Sequence, residues 1–345
     1  MKYQVIQRTE QRLHYVYDGQ QNVKIQLLPM ITNCNCMVSI ILPNYNHDRF
    51  LNQRINSILN QTYQDFELII LDDCSGDNSL TLLEQWKNHP KVSHFIVNEV
   101  NSGSPFRQWK RGIELAKGDW VWIAESDDLC ELNFLSSMVN EICKKPHAGV
   151  VYAQSYDINE KGDRVYDRVK YTETFNPNIW NGSFSLNGLE FIQKYLSVKN
   201  VIPNASAVLF RREYCTPHIF DDSLMDMRMC GDWLFWIKLL ENSEVVFLKE
   251  HLNYFREHEA VSRNHNNGLK RRRRLIEEQK VRSYMSGTLN VRHYPSESRL
   301  YKKWFELYNR IFFDLFSRDF YEVNLEMSKL SFVLKFLKFK TGRTY

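Results

Sequence analysis

The chain has 345 residues, 43% of them hydrophobic and 25% charged, and carries a formal net charge of +4. These values exclude a disordered polymer and fit a globular protein with one full domain and a second region. So small a charge does not by itself argue for nucleic acid, and none is expected as a partner; seven cysteines at scattered spacings form neither a disulfide framework nor a zinc pattern. Free thiols fit a reducing, cytoplasmic compartment. The opening Met1-Lys2-Tyr3-Gln4-Val5 lacks the apolar core of a signal peptide, and no apolar stretch is long enough to span a bilayer.

Residues 1–36 are polar and irregular and read as an N-terminal extension with a short hairpin around Asp18-Gly19. The β-branched run 38–42 predicts a buried strand, broken by Pro43-Asn44-Tyr45-Asn46. Phe50, Leu51, Ile55, Ile58 and Leu59 recur at helical spacing. A second strand, 66–71, ends in Asp72-Asp73. A helical stripe at Leu80, Leu83 and Trp86 leads to a strand at 92–97. Phe106, Trp109, Ile113 and Ala116 mark a helix closed by Gly118, and the strand 120–124 runs into Glu125-Ser126-Asp127-Asp128 before a helix at 133–144. Such alternation predicts βαβ units and a mostly parallel sheet. Beyond 150 the rhythm loosens: a strand at 150–153, a loop or hairpin excursion over 154–182, strands at 205–210 and 245–248, and a helix opening at Asp232 with Trp233, Trp236, Ile237 and Leu240 on its stripe. From about 269 the chain reads as helical to its end.

The acids at the strand ends carry the chemistry. In open α/β sheets, ligands bind outside the carboxyl ends of the strands. Glu125, Asp127 and Asp128 crowd three carboxylates into four residues, which repel unless a cation sits among them. Hard oxygen ligands suit Mg²⁺ or Mn²⁺, and those ions suit diphosphates. Asp72 and Asp73 are a second acidic pair, although Asp-Asp-Cys-Ser-Gly-Asp is also good turn chemistry. Asn101, Gly103 and Arg107 read either as a phosphate-facing segment, with a glycine for close approach and an arginine fork, or as a solvated helix face. Asp232 is either a helix N-cap or an ionised base. His258 is a metal or phosphate ligand or an ordinary surface histidine. In the tail, Leu330, Val333, Leu334 and Leu337 alternate with Lys329, Lys335, Lys338 and Lys340, the pattern of a helix lying on anionic membrane or packed on its own domain.

From 38 to about 263 the chain resembles the family 2 glycosyltransferases of the GT-A fold. The resemblance rests on Val-Ser-Ile-Ile-Leu-Pro-Asn-Tyr-Asn from Val38, Ser-Ile-Leu-Asn-Gln-Thr from Ser57, and Phe-Glu-Leu-Ile-Ile-Leu-Asp-Asp-Cys-Ser-Gly-Asp from Phe66. Asn-Ser-Gly-Ser from Asn101, Gly-Ile-Glu-Leu-Ala-Lys-Gly-Asp from Gly112 and Gly-Asp-Trp from Gly231 follow in the family's order.

The resemblance implies a GT-A catalytic domain over 37–264 and a helical C-terminal region over 265–345 that is a candidate for membrane contact. It implies inverting, metal-dependent transfer from a nucleotide-diphosphate sugar, such as a UDP-sugar, to a glycan or lipid-linked acceptor in surface-polysaccharide assembly at the inner membrane face. Pro43, Asn44, Tyr45, Asp72, Asp73, Asn101, Gly103, Arg107, Glu125 and Asp127 would face the donor, with Asp73 reading the nucleobase. Asp127, Asp128 and His258 would hold Mn²⁺ or Mg²⁺, and Asp232 would be the general base. Glu125 stands where the family often has Asp, which keeps the charge and lengthens the arm. The rival readings are a nucleotidyltransferase and a non-catalytic sugar-nucleotide-binding module on the same fold.

Overall fold

The computed structural model describes residues 36–202, 204–258 and 268–342, and the backbone of 13–17 and 23–27. In the N-terminal unit, β1 (Leu13–Tyr17) and β2 (Val23–Leu27) pair antiparallel with Leu13 opposite Leu27, the expected hairpin. Its turn, Asp18-Gly19, lies outside the described residues.

The second unit begins with parallel βαβ units. β3 (Val38–Asn44), α1 (Asp48–Leu59), β4 (Phe66–Asp72), α2 (Ser79–Glu84), β5 (Val92–Val97), α3 (Pro105–Leu115) and β6 (Trp120–Ile123) follow in order. β3 and β4 are buried at every position because both sheet faces are covered, which is why they read as unbroken apolar runs. Pro43 does not break β3. The strand runs on to Asn44, opposite Asp72, and β6 has already ended beside Ile41, so the missing N–H of Pro43 falls where no ladder partner remains.

The second half brings in antiparallel strands. β7 (Leu129–Cys130), α4 (Phe134–Lys144), β8 (Ala148–Ile158), β9 (Arg164–Asp167), β10 (Phe184–Asn187), α5 (Gly188–Phe191), β11 (Val208–Arg211), α6 (Asp222–Met225), α7 (Gly231–Leu240) and β12 (Glu244–Arg256) complete a ten-stranded sheet of order β10-β12-β8-β11-β6-β3-β4-β5, with β7 and β9 at its margins. The β5-β4-β3-β6 half is parallel, as expected. β11 enters antiparallel between β6 and β8, so the whole sheet is mixed. The excursion after 153 begins as a longer β8, which β9 folds back upon, and the short strand expected at 245–248 is the start of the bulged β12.

α8 (Gly268–Thr288), α9 (Tyr294–Phe305), α10 (Ile311–Asp314) and α11 (Lys329–Lys340) form the helical C-terminal region. Packing runs across residue 264: Val281 and Met285 of α8 join the core that α3 and α7 build on the sheet. Arg282 is buried, pairs with Glu278 at 2.8 Å, donates to the Ser197 carbonyl at 2.9 Å and stands over the Trp233 ring. A second core gathers Trp304, Phe305, Phe320, Phe332 and Phe336. The expected stripe of α11 therefore lies on the wrong side for packing. Phe332 and Phe336 are buried, whereas Leu330, Leu334 and Leu337 face outward. At the start of α8 the basic run Lys270-Arg271-Arg272-Arg273-Arg274 is engaged: Arg271 bonds Glu306 just past α9, Arg272 bonds Glu322, and Arg273 bonds Glu277 one turn along its own helix.

Candidate active site

The ends of β4 and β6 flank the end of β3, and each carries acids. At the β4 corner, Asp72 is wholly internal. Its oxygens accept from Asn44 Nδ2 (2.8 Å), Ser75 Oγ (2.7 Å) and the Ser75 N–H (2.9 Å), which shapes the loop. Asp73 is buried as well. Its Oδ1 accepts from Asn98 Nδ2, the Ser102 N–H and Gln108 Nε2 at 2.7–2.8 Å, and its Oδ2 accepts from Ser102 Oγ at 2.8 Å. Asn101 closes the same loop by donating to the Asp73 carbonyl (2.9 Å) and accepting from the Gly103 N–H (2.8 Å). Gly103 has φ +77°, a conformation that strains any other residue, and the Arg228 guanidinium packs against it. Tyr45 is exposed at the tip of the first loop, and Arg107 is exposed on α3.

The β6 corner is different. Glu125 accepts from Trp109 Nε1 at 2.9 Å, and burial together with the neighbouring Asp127 pushes its carboxyl up to about 8. Asp128, expected among the metal ligands, turns away from them. Its oxygens accept from Asn204 Nδ2 (2.8 Å) and the Arg256 N–H (2.9 Å), and burial followed by the Asp127 charge raises its pKa. Asp127 points the other way. Burial works against its charge, but the His258 hydrogen bond (Nε2 to Oδ2, 3.0 Å) and the nearby His47 outweigh that and hold it below the usual range.

His47 was missed in the sequence. Asn46, at φ 58°, turns the chain so that the His47 ring meets His258 edge-on, with centroids 5.3 Å apart. One ligand atom each from His47, Asp127 and His258 lie within 4.8 Å of one another. Two imidazoles and a carboxylate are a donor set able to hold a divalent transition-metal ion. His258 Nδ1 is buried without a hydrogen-bond partner among the described residues, so the ring keeps an unused ligand atom. Arg54 was missed too. It is fully buried over the Trp122 ring at 5.0 Å, and its positive field opposes the rise on Glu125 and Asp128.

Asp232 lies in the first turn of α7, behind the capping position occupied by Cys230, so it is not an N-cap. Its oxygens accept from the Trp233 N–H (2.8 Å) and Asn200 Nδ2 (2.9 Å), and burial pushes its carboxyl up to about 6. Two contacts fix the helix that carries it. A Cβ at Gly231 would lie 2.3 Å from Phe106 of α3, so only glycine lets the two helices meet there. Trp109, the donor to Glu125, packs edge-on against Phe235 of α7 with centroids 5.4 Å apart. Glu277 of α8, also missed in the sequence, accepts the N–H groups of Arg228, Met229 and Cys230 at 3.0, 2.7 and 2.9 Å. A carboxylate from a distant helix thus closes the turn that leads into α7 and places negative charge at its N-terminus.

The family model described as glycosyl transferase family 2 matches residues 39–215. The glycosyltransferase GlyG of Streptococcus pneumoniae serotype 4 is 31% identical over 133 residues, 38% of this chain and 42% of GlyG. The poly(ribitol-phosphate) β-N-acetylglucosaminyltransferase TarS of Staphylococcus aureus is 30% identical over 128 residues, 36% of this chain and 22% of TarS. The chain therefore spans less than half the length of these relatives. Among solved structures, residues 1–349 of S. aureus TarS in complex with UDP superpose with a TM-score of 0.54 at 18% identity, covering 90% of this chain and 93% of that one. The mannosyltransferase PcManGT of Pyrobaculum calidifontis, in complex with GDP-Man and Mn²⁺, gives 0.52 at 14% identity, covering 90% and 75%. These likenesses establish a GT-A fold. With the family pattern matched over half its length, the chain belongs to glycosyl transferase family 2.

Proposed function

We propose that this chain transfers a sugar from a UDP-sugar to an acceptor hydroxyl, with inversion, in the assembly of a cell-surface polysaccharide. The observation that carries the reading is the placement of Asp232. It is a buried carboxyl brought to about 6, on a helix packed through Trp109 onto the acidic end of β6. A base must be ionised at working pH yet basic enough to take a proton, and a value near 6 serves both needs.

At the donor end, the Asp73 carboxylate accepts four internal hydrogen bonds, three of them on Oδ1. One acceptor position on Oδ2 is left for a nucleobase N–H. Tyr45 offers an exposed ring beside it, and the loop of Asn101 and Gly103 runs below. Pro43, Asn44 and Asp72 shape this pocket from within. Arg107 is a cation for the diphosphate. Glu125 and Asp127 face the ribose and diphosphate. The TarS complexes with UDP and UDP-GlcNAc favour a uridine donor.

Asp127, His258 and His47 would hold Mn²⁺ or Mg²⁺, which supplies charge neutralisation at the diphosphate. Asp128 supports them from behind through its bonds to Asn204 and Arg256. Asp232 takes the proton of the acceptor hydroxyl. The freed oxygen bonds the anomeric carbon on the face opposite the diphosphate, the carbon–oxygen bond to the diphosphate breaks, and UDP departs with the electron pair. A single displacement inverts the configuration. The acceptor is a glycan or a lipid-linked glycan at the inner face of the cell membrane.

The test is release of UDP from a panel of UDP-sugars, with and without Mn²⁺. Mn²⁺-dependent UDP release from one of them is the expected result. Pyrophosphate formation from UTP and a sugar phosphate would instead mark a nucleotidyltransferase, and UDP binding without turnover a binding module.

A further inference from the structure

The outer face of α10 and α11 is apolar in a way the fold does not use. Phe312, Phe313 and Phe316 are 82%, 78% and 90% exposed, and Leu330 and Leu334 are 70% and 50% exposed. Their neighbours Ile311, Leu315, Phe332 and Phe336 already turn inward to the second core. The outward set is therefore additional to what packing needs. The two segments lie side by side and run in opposite directions. At one end Lys340 Nζ donates to Asn309 Oδ1 at 3.2 Å. At the other, Lys329 stands 5.6 Å over the ring of Tyr321, whose hydroxyl donates to the Leu315 carbonyl at 2.8 Å. Phe312, Phe313 and Phe316 thus form one exposed apolar group, and Leu330 and Leu334 a second on the segment joined to it at both ends. Single exposed leucines need no explanation, but a grouped set with three phenylalanines does.

The charge around this face leans positive, because α11 carries Lys329, Lys335, Lys338 and Lys340 and no acid. The acids of residues 309–328 are each engaged by a partner in the chain, two of them by the same arginine. Asp314 accepts from the Arg310 N–H (2.7 Å), Asp319 and Glu322 pair with Arg272 (3.1 and 2.8 Å), and Glu326 lies 3.8 Å from Arg292. The exposed cations of the same segments are Arg310, Arg318, Lys329 and Lys338. A second copy of this face would set like charges together. An anionic bilayer complements both features, taking aromatic side chains at the acyl boundary and cations among the headgroups. Among the described residues no helix is long and apolar enough to cross a membrane, so the contact is an interfacial one.

We propose that the α10–α11 face is a docking surface for anionic lipid membrane, with Phe312, Phe313 and Phe316 as the inserted side chains. This builds on the placement of the acceptor at a membrane face and names the part of the chain that meets it.

The test is co-sedimentation of the full chain with phosphatidylcholine vesicles, with and without phosphatidylglycerol, at low and high salt. The wild type partitions onto the phosphatidylglycerol vesicles, and salt weakens the attraction. Phe312→Ser/Phe313→Ser/Phe316→Ser lowers the bound-to-free ratio by about tenfold or more. Leu330→Ser/Leu334→Ser lowers it less, and both variants keep the wild-type affinity for UDP, which reports folding. Equal partitioning of wild type and triple variant overturns the proposal, as does a wild type that binds no vesicles. A wild-type dimer in sedimentation equilibrium that the triple variant abolishes also overturns it, because a second copy then covers the face. A wild type that partitions but does not bind UDP counts for the docking face and against the donor site.

Discussion

Two acidic corners flank the end of β3, and they are built on opposite principles. At the end of β4, Asp72 and Asp73 are buried, and neutral amides, hydroxyls and backbone N–H groups serve their oxygens. That corner is complete before any ligand arrives. At the end of β6, burial and mutual repulsion raise Glu125 and Asp128, while two histidines hold Asp127 down. That corner is in electrostatic debt, and a cation would settle it. Identical residue types at equivalent strand ends thus divide into a frame and a reactive set. The neighbours, not the acids, decide which is which.

The largest expected effect lies on α7, which Trp109 packs onto the reactive corner. Asp232→Asn should cut turnover by about 10²–10⁴-fold while leaving UDP affinity nearly unchanged, because an amide cannot take the acceptor proton. Transfer assays paired with UDP titration on one preparation check it, and near-normal turnover would remove Asp232 from the chemistry.

Glu277→Ala addresses the turn that opens α7. It strands three N–H groups before α7 and should cost about 3 kcal/mol in denaturant unfolding. Glu277→Gln keeps an acceptor oxygen and should cost less.

His47→Ala sharpens the contrast between the corners. It should weaken Mn²⁺ affinity by about 10–100-fold, by analogy with the loss of groups that support metal ligands. Titration calorimetry of Mn²⁺ reads this. An unchanged affinity would leave Asp127 and His258 without a third partner.

The smallest effect is in pH. Asp232 acts as a base only when ionised, so kcat/KM should fall below about pH 6, by about tenfold per unit. Stability runs the other way. The folded carboxyl holds its proton more tightly than the unfolded one, so between 3.8 and about 6 the native chain binds more protons, and stability declines as pH rises through that window. An activity profile flat from pH 5 to 7 would contradict the assignment.

Much of this was legible in the sequence because a buried strand and a terminal carboxylate are both local signals. The runs before Asp72 and Glu125 announced their strands, and the alternation up to 144 announced the parallel half of the sheet. The reversal at β11 carries no local mark, since an apolar run has no direction. Asp127 and Asp128 could not be told apart, because adjacent residues at a strand end point opposite ways and only the partners Asn204 and His258 decide their roles. His47 sat beside a recognised motif, but its meeting with His258 spans most of the chain. Arg54 carried no signal in the sequence, because only the fold brings Trp122 over it. Trp109 read as core, which it is, yet its indole N–H also reaches Glu125. In α11, lysines next to leucines drew attention away from Phe332 and Phe336, which do the packing.

The carboxylate of Glu277, closed over the start of α7, ties the reaction to the direction of protein synthesis. Domains generally fold as the chain emerges, N-terminal parts first. A nascent chain that has delivered β3 to β12 already contains Asp73, Asp127 and Asp232, yet among the described residues nothing satisfies the N–H groups of Arg228, Met229 and Cys230 until α8 follows. Phe106, Trp109 and Asn200 hold the proposed base from earlier in the chain, but the turn that opens its helix is closed by a residue made after it, and a chain halted before α8 would carry a full set of acids on an unfinished site.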